Sequence, residues 1–356
     1  MVMSLKPPSR ADRRGDRAAA ATAAVVIATA AAIAAGPAFA APDPAAPALM
    51  NDEPISPIPL TGPADPARAA LGGRLFRDTR LSANNRESCA TCHPLDRGAV
   101  DGLARAPSTS AVRVLRNTPS AFNAGFNLSF NWDGSARSLE AQADGVVRSP
   151  AQFNTTWPKL IETVRSDATY MADFKAAYAD SPTRDNVLDA LAAYQRNLIT
   201  PNARFDKFLR GDRAALSATE QEGYALFKAF GCVSCHQGIN VGGNLYQKFG
   251  VFRDTKPGRR PDEAPDMGRF WVTQDERDRE VFRVPSLRNV ELTAPYFHDG
   301  RTATLDEAVR TMARVQLDRN LSPREADAIV QFLRTLTGEL NGQPLTRAAL
   351  PEGRSK

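Results

Sequence analysis

The stretch ESCATCHPLD (residues 87–96) decides how this chain must be read. It carries Cys89, Cys92 and His93, and the arrangement returns in FGCVSCHQGI (230–239) with Cys232, Cys235 and His236. These are all four cysteines of the 356-residue chain, and His298 is the one histidine outside the two motifs. C-x-x-C-H is the attachment pattern for c-type haem. Two thiols add to the two vinyl groups on one porphyrin edge, and the next residue sets an imidazole beneath the iron as proximal ligand. Zinc is the rival, because paired C-x-x-C can build a Cys₄ site. A histidine directly after each pair would then be coincidental twice, and the 139 residues between the pairs far exceed a zinc-ribbon spacing. A disulfide or thioredoxin-like role would also use C-x-x-C, but the strand–helix pattern around such a motif is absent. The expected cofactors are two covalently attached haems c.

The front of the chain has a different composition. Residues 1–17 hold Lys6, Arg10, Arg13, Arg14 and Arg17, and an alanine-rich apolar run closes at Ala38-Phe39-Ala40. A basic start, an apolar middle and an A-x-A end make a secretory signal peptide, cleaved after Ala40, and place the mature chain in the periplasm. A retained anchor helix is the alternative, but alanine is weakly apolar and the run is barely long enough to span a bilayer. Arg13 and Arg14 hint at twin-arginine export, without hydrophobic motif residues directly after them. The leader holds five of the 45 basic and two of the 40 acidic residues, so cleavage lowers the net charge from +5 to +2. Nothing in that charge argues for nucleic acid. No later apolar run is long enough to cross a membrane.

The two motifs read as diverged copies of one unit. GGRLF precedes the first and GYALF the second, sharing G-x-x-L-F at Gly72/Leu75/Phe76 and Gly223/Leu226/Phe227. Ser217 and Glu220 form an S-x-x-E capping box, and Ser322 and Glu325 form another with Pro323 at the first helical position. Ile329, Phe332, Leu333 and Leu336 then trace an apolar helical face, and Val187, Leu188, Leu191 and Tyr194 trace an analogous one in the first half. The expected fold is all-α, two cytochrome c-type domains each with one covalently attached haem. The expected organisation is a signal peptide (1–40), an extended proline-rich arm (41–65), an N-terminal domain (66–205), a C-terminal domain (206–342) and a tail (343–356). The boundary is placed near TPNARFDKFLRGDR (200–213), which looks polar and turn-rich.

A count of residues limits the axial ligands. With His93 and His236 taken as proximal ligands, only His298 remains, so at most one haem is bis-His. After the leader the methionines are Met50, Met171, Met267 and Met312. Met312 follows a Thr304/Glu307 cap and shares a helical face with Leu305, Ala308 and Val309, where a core methionine is the bland reading. Met171 reads as core packing, Met267 sits in a polar loop, and His298 reads as a hydrogen-bonded structural histidine or a fallback ligand. The first haem has no identifiable second ligand. An open iron position suits ligand activation rather than simple electron transfer.

Three blocks carry a resemblance. RNTPSAFNAGFNLSFNWDGSARSLEAQADGVVRSPAQFN (116–154), ALFKAFGCVSCHQGINVGGNLYQKFG (225–250) and VFRVPSLRNVELTAPYFHDGRTATLDEAVRTMARVQ (281–316) resemble the bacterial di-haem cytochrome c peroxidase and MauG family. The likeness runs from about Leu71 to Leu336. It implies that Met312, fourteen residues after His298, is the second ligand of the C-terminal haem; MauG-type enzymes use a tyrosine there. It implies that Trp132 relays electrons between the haems. It also implies an inter-domain calcium ion held by Asn117 and the carbonyls of Thr293 and Pro295, oxygen ligands that suit calcium. Classical members carry a distal histidine after the first motif, whereas PLDRGAVDGLARAPSTSAVRVL (94–115) has none. The family's distal glutamine is kept as Gln142, but its glutamate position holds Gln152. An amide orients peroxide and cannot shuttle its proton, so Asp144 or a water chain is the expected substitute.

The resemblance thus implies a periplasmic peroxidase that reduces hydrogen peroxide to water with electrons from small c-type cytochromes or cupredoxins. A MauG-like oxidase that modifies a partner protein is the alternative, favoured by the open first haem and disfavoured by Met312. A non-catalytic electron carrier or peroxide sensor is the third reading, and Gln152 is its best argument. The family is often dimeric, so a homodimer stays among the expected partners, although no feature of the sequence calls for one.

Overall fold

The computed structural model of the chain describes residues 53–112, 114–253 and 266–346. The expected signal peptide, Met50, the first part of the arm and the tail beyond Thr346 lie outside these residues. The described part is helix-rich. In chain order its helices are α1 (Pro66–Leu75), α2 (Cys89–Cys92), α3 (Leu139–Arg148), α4 (Trp157–Arg165), α5 (Ala168–Tyr178), α6 (Arg184–Asn197), α7 (Arg204–Leu209), α8 (Ala218–Ala229), α9 (Phe270–Thr273), α10 (Leu305–Leu317) and α11 (Pro323–Arg334). Two short antiparallel pairs, β1 (Tyr246–Lys248) with β2 (Val281–Arg283) and β3 (Glu339–Leu340) with β4 (Gln343–Pro344), were not foreshadowed by the sequence pattern. Among the described residues no helix is long and apolar enough to cross a membrane.

The shared G-x-x-L-F has a physical cause. In the first half α1 packs on α6, and a Cβ on Gly72 would run into the Ala190 carbonyl oxygen and the Tyr194 Cβ. In the second half α8 packs on α11, and a Cβ on Gly223 would meet the Ala328 carbonyl oxygen and the Phe332 Cβ. The same two positions, four residues apart on the partner helix, close both pairs. Lacking a side chain, glycine lets each helix lie against its partner's backbone. The phenylalanine of the motif then reaches the next element. Phe76 lies 6.4 Å from the His93 ring and Phe227 lies 6.4 Å from the His236 ring.

Two apolar cores result. The first gathers Leu71, Leu75, Phe76, Phe174, Val187 and Leu191; the second gathers Phe205, Tyr224, Phe227, Ile329, Phe332 and Leu336. Both S-x-x-E boxes close as the sequence indicates: Ser217 N donates to Glu220 Oε2 at 2.8 Å and Ser322 N to Glu325 Oε2 at 2.8 Å. Thr304 caps α10 by accepting from Glu307 N at 3.2 Å. Met171 departs from expectation. It sits on the outer face of α5, 38% exposed, and is no part of the core. The stretch 200–213 also differs from a polar boundary, because it contains α7, whose Phe205, Phe208 and Leu209 are buried in the second core.

The two ends of the described region cross between the cores. Ile55 enters the second core, Gly238 N donates to Pro54 O at 2.8 Å, and Glu53 accepts from Tyr224 and Lys228. At the other end Leu340 and Leu345 pack on the first core. Between the cores runs a buried polar seam. Thr200 Oγ1 accepts from Asn123 Nδ2 at 2.8 Å and from Asn289 Nδ2 at 3.0 Å, and Arg288 meets Asp206 at 2.6 Å with both side chains fully buried. Buried polar groups hold a fold in register only when such partners are present.

Replacing Gly223 with alanine adds helix propensity of about 1 kcal/mol but forces a methyl against the α11 backbone. The expected outcome for Gly223→Ala, and for Gly72→Ala, is a net loss of about 1–3 kcal/mol, as for overpacked cores. It is read as a lower midpoint in thermal unfolding followed by circular dichroism; an unchanged midpoint would show that the helix pairs have room.

Candidate haem centres and the seam between them

The first motif is shaped by its backbone. Ser88 precedes α2 and its N–H donates to Thr91 Oγ1 at 3.0 Å, while Ala90 N donates back to Phe76 O at 3.0 Å. That second bond ties the cysteines to the end of the G-x-x-L-F helix. His93 terminates the turn, its N–H on Cys89 O at 2.9 Å, so the two thiols and the imidazole project from one helical turn. His93 Nδ1 lies 3.0 Å from Ala99 O. A carbonyl oxygen only accepts, so Nδ1 carries the proton and Nε2 presents its lone pair. The second motif repeats this. Cys232–Ser234 form a 3₁₀ turn, His236 N donates to Cys232 O at 2.9 Å, and His236 Nδ1 lies 3.3 Å from Val241 O. Ala99 and Val241, which supply the two carbonyls, both adopt left-handed backbone, with φ of 55° and 49°.

Burial keeps both rings neutral. It lowers the His93 pKa and pushes that of His236 down to about 4. Burial likewise pushes the thiols up, Cys89 to about 12 and Cys92 and Cys232 to about 11. All four thiols are free of disulfide bonds. Among the described residues no three or more His, Cys, Asp or Glu side chains converge, so the two cysteine pairs do not join into a zinc cage. Among the described residues two cationic donors are left without partners in the interior, Arg97 Nε just after the first motif and Arg283 Nη1. A pair of thiols, a neutral imidazole with Nε2 forward and buried cations awaiting carboxylates form a donor set that fits a haem at each motif.

The remaining candidates sit around the seam. Trp132 is 9% exposed, its Nε1 donates to Asn117 O at 2.9 Å, and its ring edge meets His298 at 6.2 Å. His298 is held by stacking rather than by the expected side-chain hydrogen bond: Phe282 lies parallel at 4.0 Å and Phe249 edge-on at 5.4 Å. Asn117 N donates to His298 O at 2.7 Å, and its Nδ2 donates to Leu103 O at 2.7 Å, which leaves Oδ1 as the amide's acceptor. Thr293 and Pro295 lie in the facing loop, whose neighbours Leu292 and Gly300 touch Gly98 and Ala104 of the first half. Met312 lies half-buried on α10 and outside the second core, whereas Leu305, Ala308 and Val309 of the same face belong to that core or pack on it. Gln142 is half-buried on α3 and Gln152 is exposed in the turn after it; among the described residues no hydrogen bond joins the two amides.

The family model for di-haem cytochrome c peroxidase matches residues 66–214. Cytochrome c551 peroxidase of Nitrosomonas europaea is 42% identical over 292 residues, covering 82% of this chain and 86% of that protein. The chain belongs to the di-haem cytochrome c peroxidase family. The cytochrome c peroxidase Ccp of Escherichia coli is 41% identical over 81% of this chain, which spans only 62% of that longer relative. A solved MauG-like protein associated with microbial copper homeostasis aligns with a TM-score of 0.68 at 28% identity, over 80% of this chain and 93% of that one. The family implies two haems c.

With Gln152 in place of glutamate, Asp144 or a water chain was expected to move the proton. The structure weighs against Asp144. Asp144 accepts from Trp157 Nε1 at 2.7 Å and Arg184 Nη2 at 2.9 Å, with Arg148 on its other oxygen. Burial alone would raise its pKa, but hydrogen bonds from Arg184, Trp157 and Arg148 outweigh that and hold it below the usual carboxylate range. It is an anchor between helices. Reading the sequence also missed Arg97 and Arg283, because nothing in a one-dimensional pattern marks an arginine that lacks a partner.

Asp144→Asn is expected to cost about 1–3 kcal/mol at pH 7, the range for hydrogen bonds to a charged group. A carboxyl depressed in the folded state contributes fully above its unfolded value of about 3.9 and loses that contribution as pH falls through its lower folded value. The gap between variant and parent in urea unfolding should therefore close below about pH 4; a gap independent of pH would mean that the charge is not the source.

Proposed function

We propose that the chain is a periplasmic peroxidase that reduces hydrogen peroxide to water at the His93 centre with electrons delivered through the His236 centre. The observation that carries this is the ligand asymmetry. The loop above the first centre (94–115) holds no histidine. Thr109 ties it to the turn after α3, its N–H on Ala151 O at 3.0 Å and its Oγ1 on Gln152 O at 2.6 Å. The names of the relatives, cytochrome c peroxidases, support the substrate. Bound haem supplies an iron with a position open to peroxide and a store of electrons. The net reaction consumes one peroxide, two electrons and two protons and yields two waters.

The residues divide this work. His93 and His236 would hold the two irons through Nε2, Cys89, Cys92, Cys232 and Cys235 would attach the porphyrins, and Met312 would be the further side chain to hold the C-terminal haem. Residues 66–205 and 206–342 are the peroxidatic and electron-transfer cytochrome c domains. Trp132, in the seam between them, is the electron relay. Gln142 orients peroxide, and Gln152 occupies the position of a proton-transferring group without its acidity. Asn117 Oδ1 with the Thr293 and Pro295 carbonyls holds calcium across the seam. Small c-type cytochromes or cupredoxins refill the second haem, and a homodimer is the assembly expected of the family. A MauG-like oxidase acting on a partner protein is the second reading, favoured by the histidine-free loop and by the likeness to a MauG-like structure.

The test is stopped-flow spectroscopy of the fully ferric holoprotein with hydrogen peroxide and a reduced small c-type cytochrome. Repeated cytochrome oxidation without pre-reduction is expected. A peroxide reaction that draws nothing from the cytochrome would support the partner-protein oxidase, and no reaction at all would sink both enzyme readings. Gln152→Glu should raise turnover, by up to about 100-fold if proton transfer limits it. Chelation with EGTA should slow turnover and added calcium, but not magnesium, should restore it.

A further inference from the structure

Arg283 is an isolated charge. It ends β2, it is 4% exposed, and its Nη1 is buried with no hydrogen-bond partner. Its one side-chain hydrogen bond is from Nε to the Asn131 carbonyl at 3.3 Å. The seam carboxylates Asp133 and Asp266 are both committed to Arg116, at 2.6 and 2.7 Å. Burial pulls the Arg283 pKa down to about 10, and the ionisable side chain that acts on it is the Tyr246 phenol rather than a carboxylate. A guanidinium buried without an anion is strongly unfavourable, as a buried charge is when its ion-pair partner is lost. Evolution of a stable fold would not leave that cost standing, so the counter-charge must come from outside the polypeptide.

The surroundings of Arg283 identify that anion. Its N–H donates to Trp132 O at 2.8 Å, so it is fixed to the proposed relay. The strand it ends is bound to the segment after the second motif: Val284 N donates to Leu245 O at 3.0 Å and Gly243 N to Val284 O at 2.8 Å. Two residues on, the Pro285 carbonyl packs where a Cβ on Gly242 would also approach His236 Nδ1 at 3.3 Å. The strand thus joins the relay tryptophan to the residues around the second imidazole, and the anion that the proposed cofactor itself brings there is a propionate. The planar fork of arginine suits a carboxylate.

We propose that Arg283 anchors a propionate of the haem on His236, beside Trp132, and that its charge raises the reduction potential of that haem. This rests on the di-haem reading above. A positive charge held close in a low-dielectric interior favours the reduced iron, so Arg283 is a positioning residue for the electron path.

The experiment uses holoprotein carrying Arg283→Met or Arg283→Lys. Pyridine haemochrome spectra and intact mass first count the covalent haems; fewer than two in the parent protein would defeat the di-haem reading, separately from this one. With two haems present, spectroelectrochemistry should show the midpoint of the His236 haem shifted down in Arg283→Met, largely restored in Arg283→Lys, and that of the His93 haem moved less. The propionate-bending band in resonance Raman should shift in both variants. Unchanged midpoints and band in Arg283→Met, or an equal drop in both variants, would overturn the proposal. If Arg283→Met does not accumulate, the band in Arg283→Lys decides, and an unmoved band overturns it.

Discussion

The proton on Nδ1 of each motif histidine governs the arrangement of everything else. It is fixed by a backbone carbonyl, that of Ala99 for His93 and of Val241 for His236. An imidazole with Nδ1 so occupied can bind only through Nε2, and the ring cannot turn without breaking that bond. Both carbonyls come from residues held in the left-handed region, an uncommon conformation for alanine and rarer still for a β-branched valine. The backbone cost of such residues is sustained only where the surroundings over-determine them. Those surroundings are substantial. Ala99 and Val241 are completely buried, and the chain on either side is hydrogen-bonded: Ala99 N to Pro94 O, Ala121 N to Ala99 O, and Leu287 N to Val241 O.

The two halves are therefore comparable down to single atoms where they must present an imidazole, and they diverge where they must not behave alike. Glycine meets alanine backbone in both helix pairs, and phenylalanine lies against the histidine in both. Elsewhere the halves part. The second has α10 with Met312 outside the core, and the first has a loop without histidine latched through Thr109. The two motifs are thus held alike in surroundings that differ.

Much of this was legible in one dimension because the determinants are local. C-x-x-C-H fits one helical turn, the capping boxes span four residues, and the apolar faces of α6 and α11 repeat at helical spacing. The G-x-x-L-F repeat was visible too, although its reason, a close helix approach, was not. What the sequence hid depends on contacts between distant residues. Asp144 looked like a spare acid until Trp157 and Arg184 were seen on it. Met171 shares its helix with the buried Tyr170 and Phe174 but points outward. The segment 200–213 looked polar and turn-rich, because its three buried apolar residues are interleaved with charges that stay on the surface or pair internally, as Asp206 does with Arg288. The crossing of the two ends of the described region, with Ile55 in the second core and Leu345 on the first, leaves no local signal at all.

The charges of the seam show why the crossing matters. Arg288 reaches Ser56 O of the arm at 2.8 Å as well as Asp206, so the arm helps satisfy a guanidinium that the second half alone would leave short of acceptors. Arg116 uses Asp133 from its own half and Asp266 from the other, and stands over the rings of Trp271 and Phe282. Arg116 is neutralised by carboxylates from both halves, whereas Arg288 has one carboxylate, Asp206, and completes its bonding with the Ser56 and Ile239 carbonyls. An ion pair of this kind contributes little net stability against an apolar alternative, but losing one partner is costly. Separating the halves would strip Asp266 from Arg116, and displacing the arm would strip the Ser56 carbonyl from Arg288. The seam therefore favours a single relative placement of the two halves, and with it of their two imidazoles, with Trp132 hydrogen-bonded to Asn117 beside it.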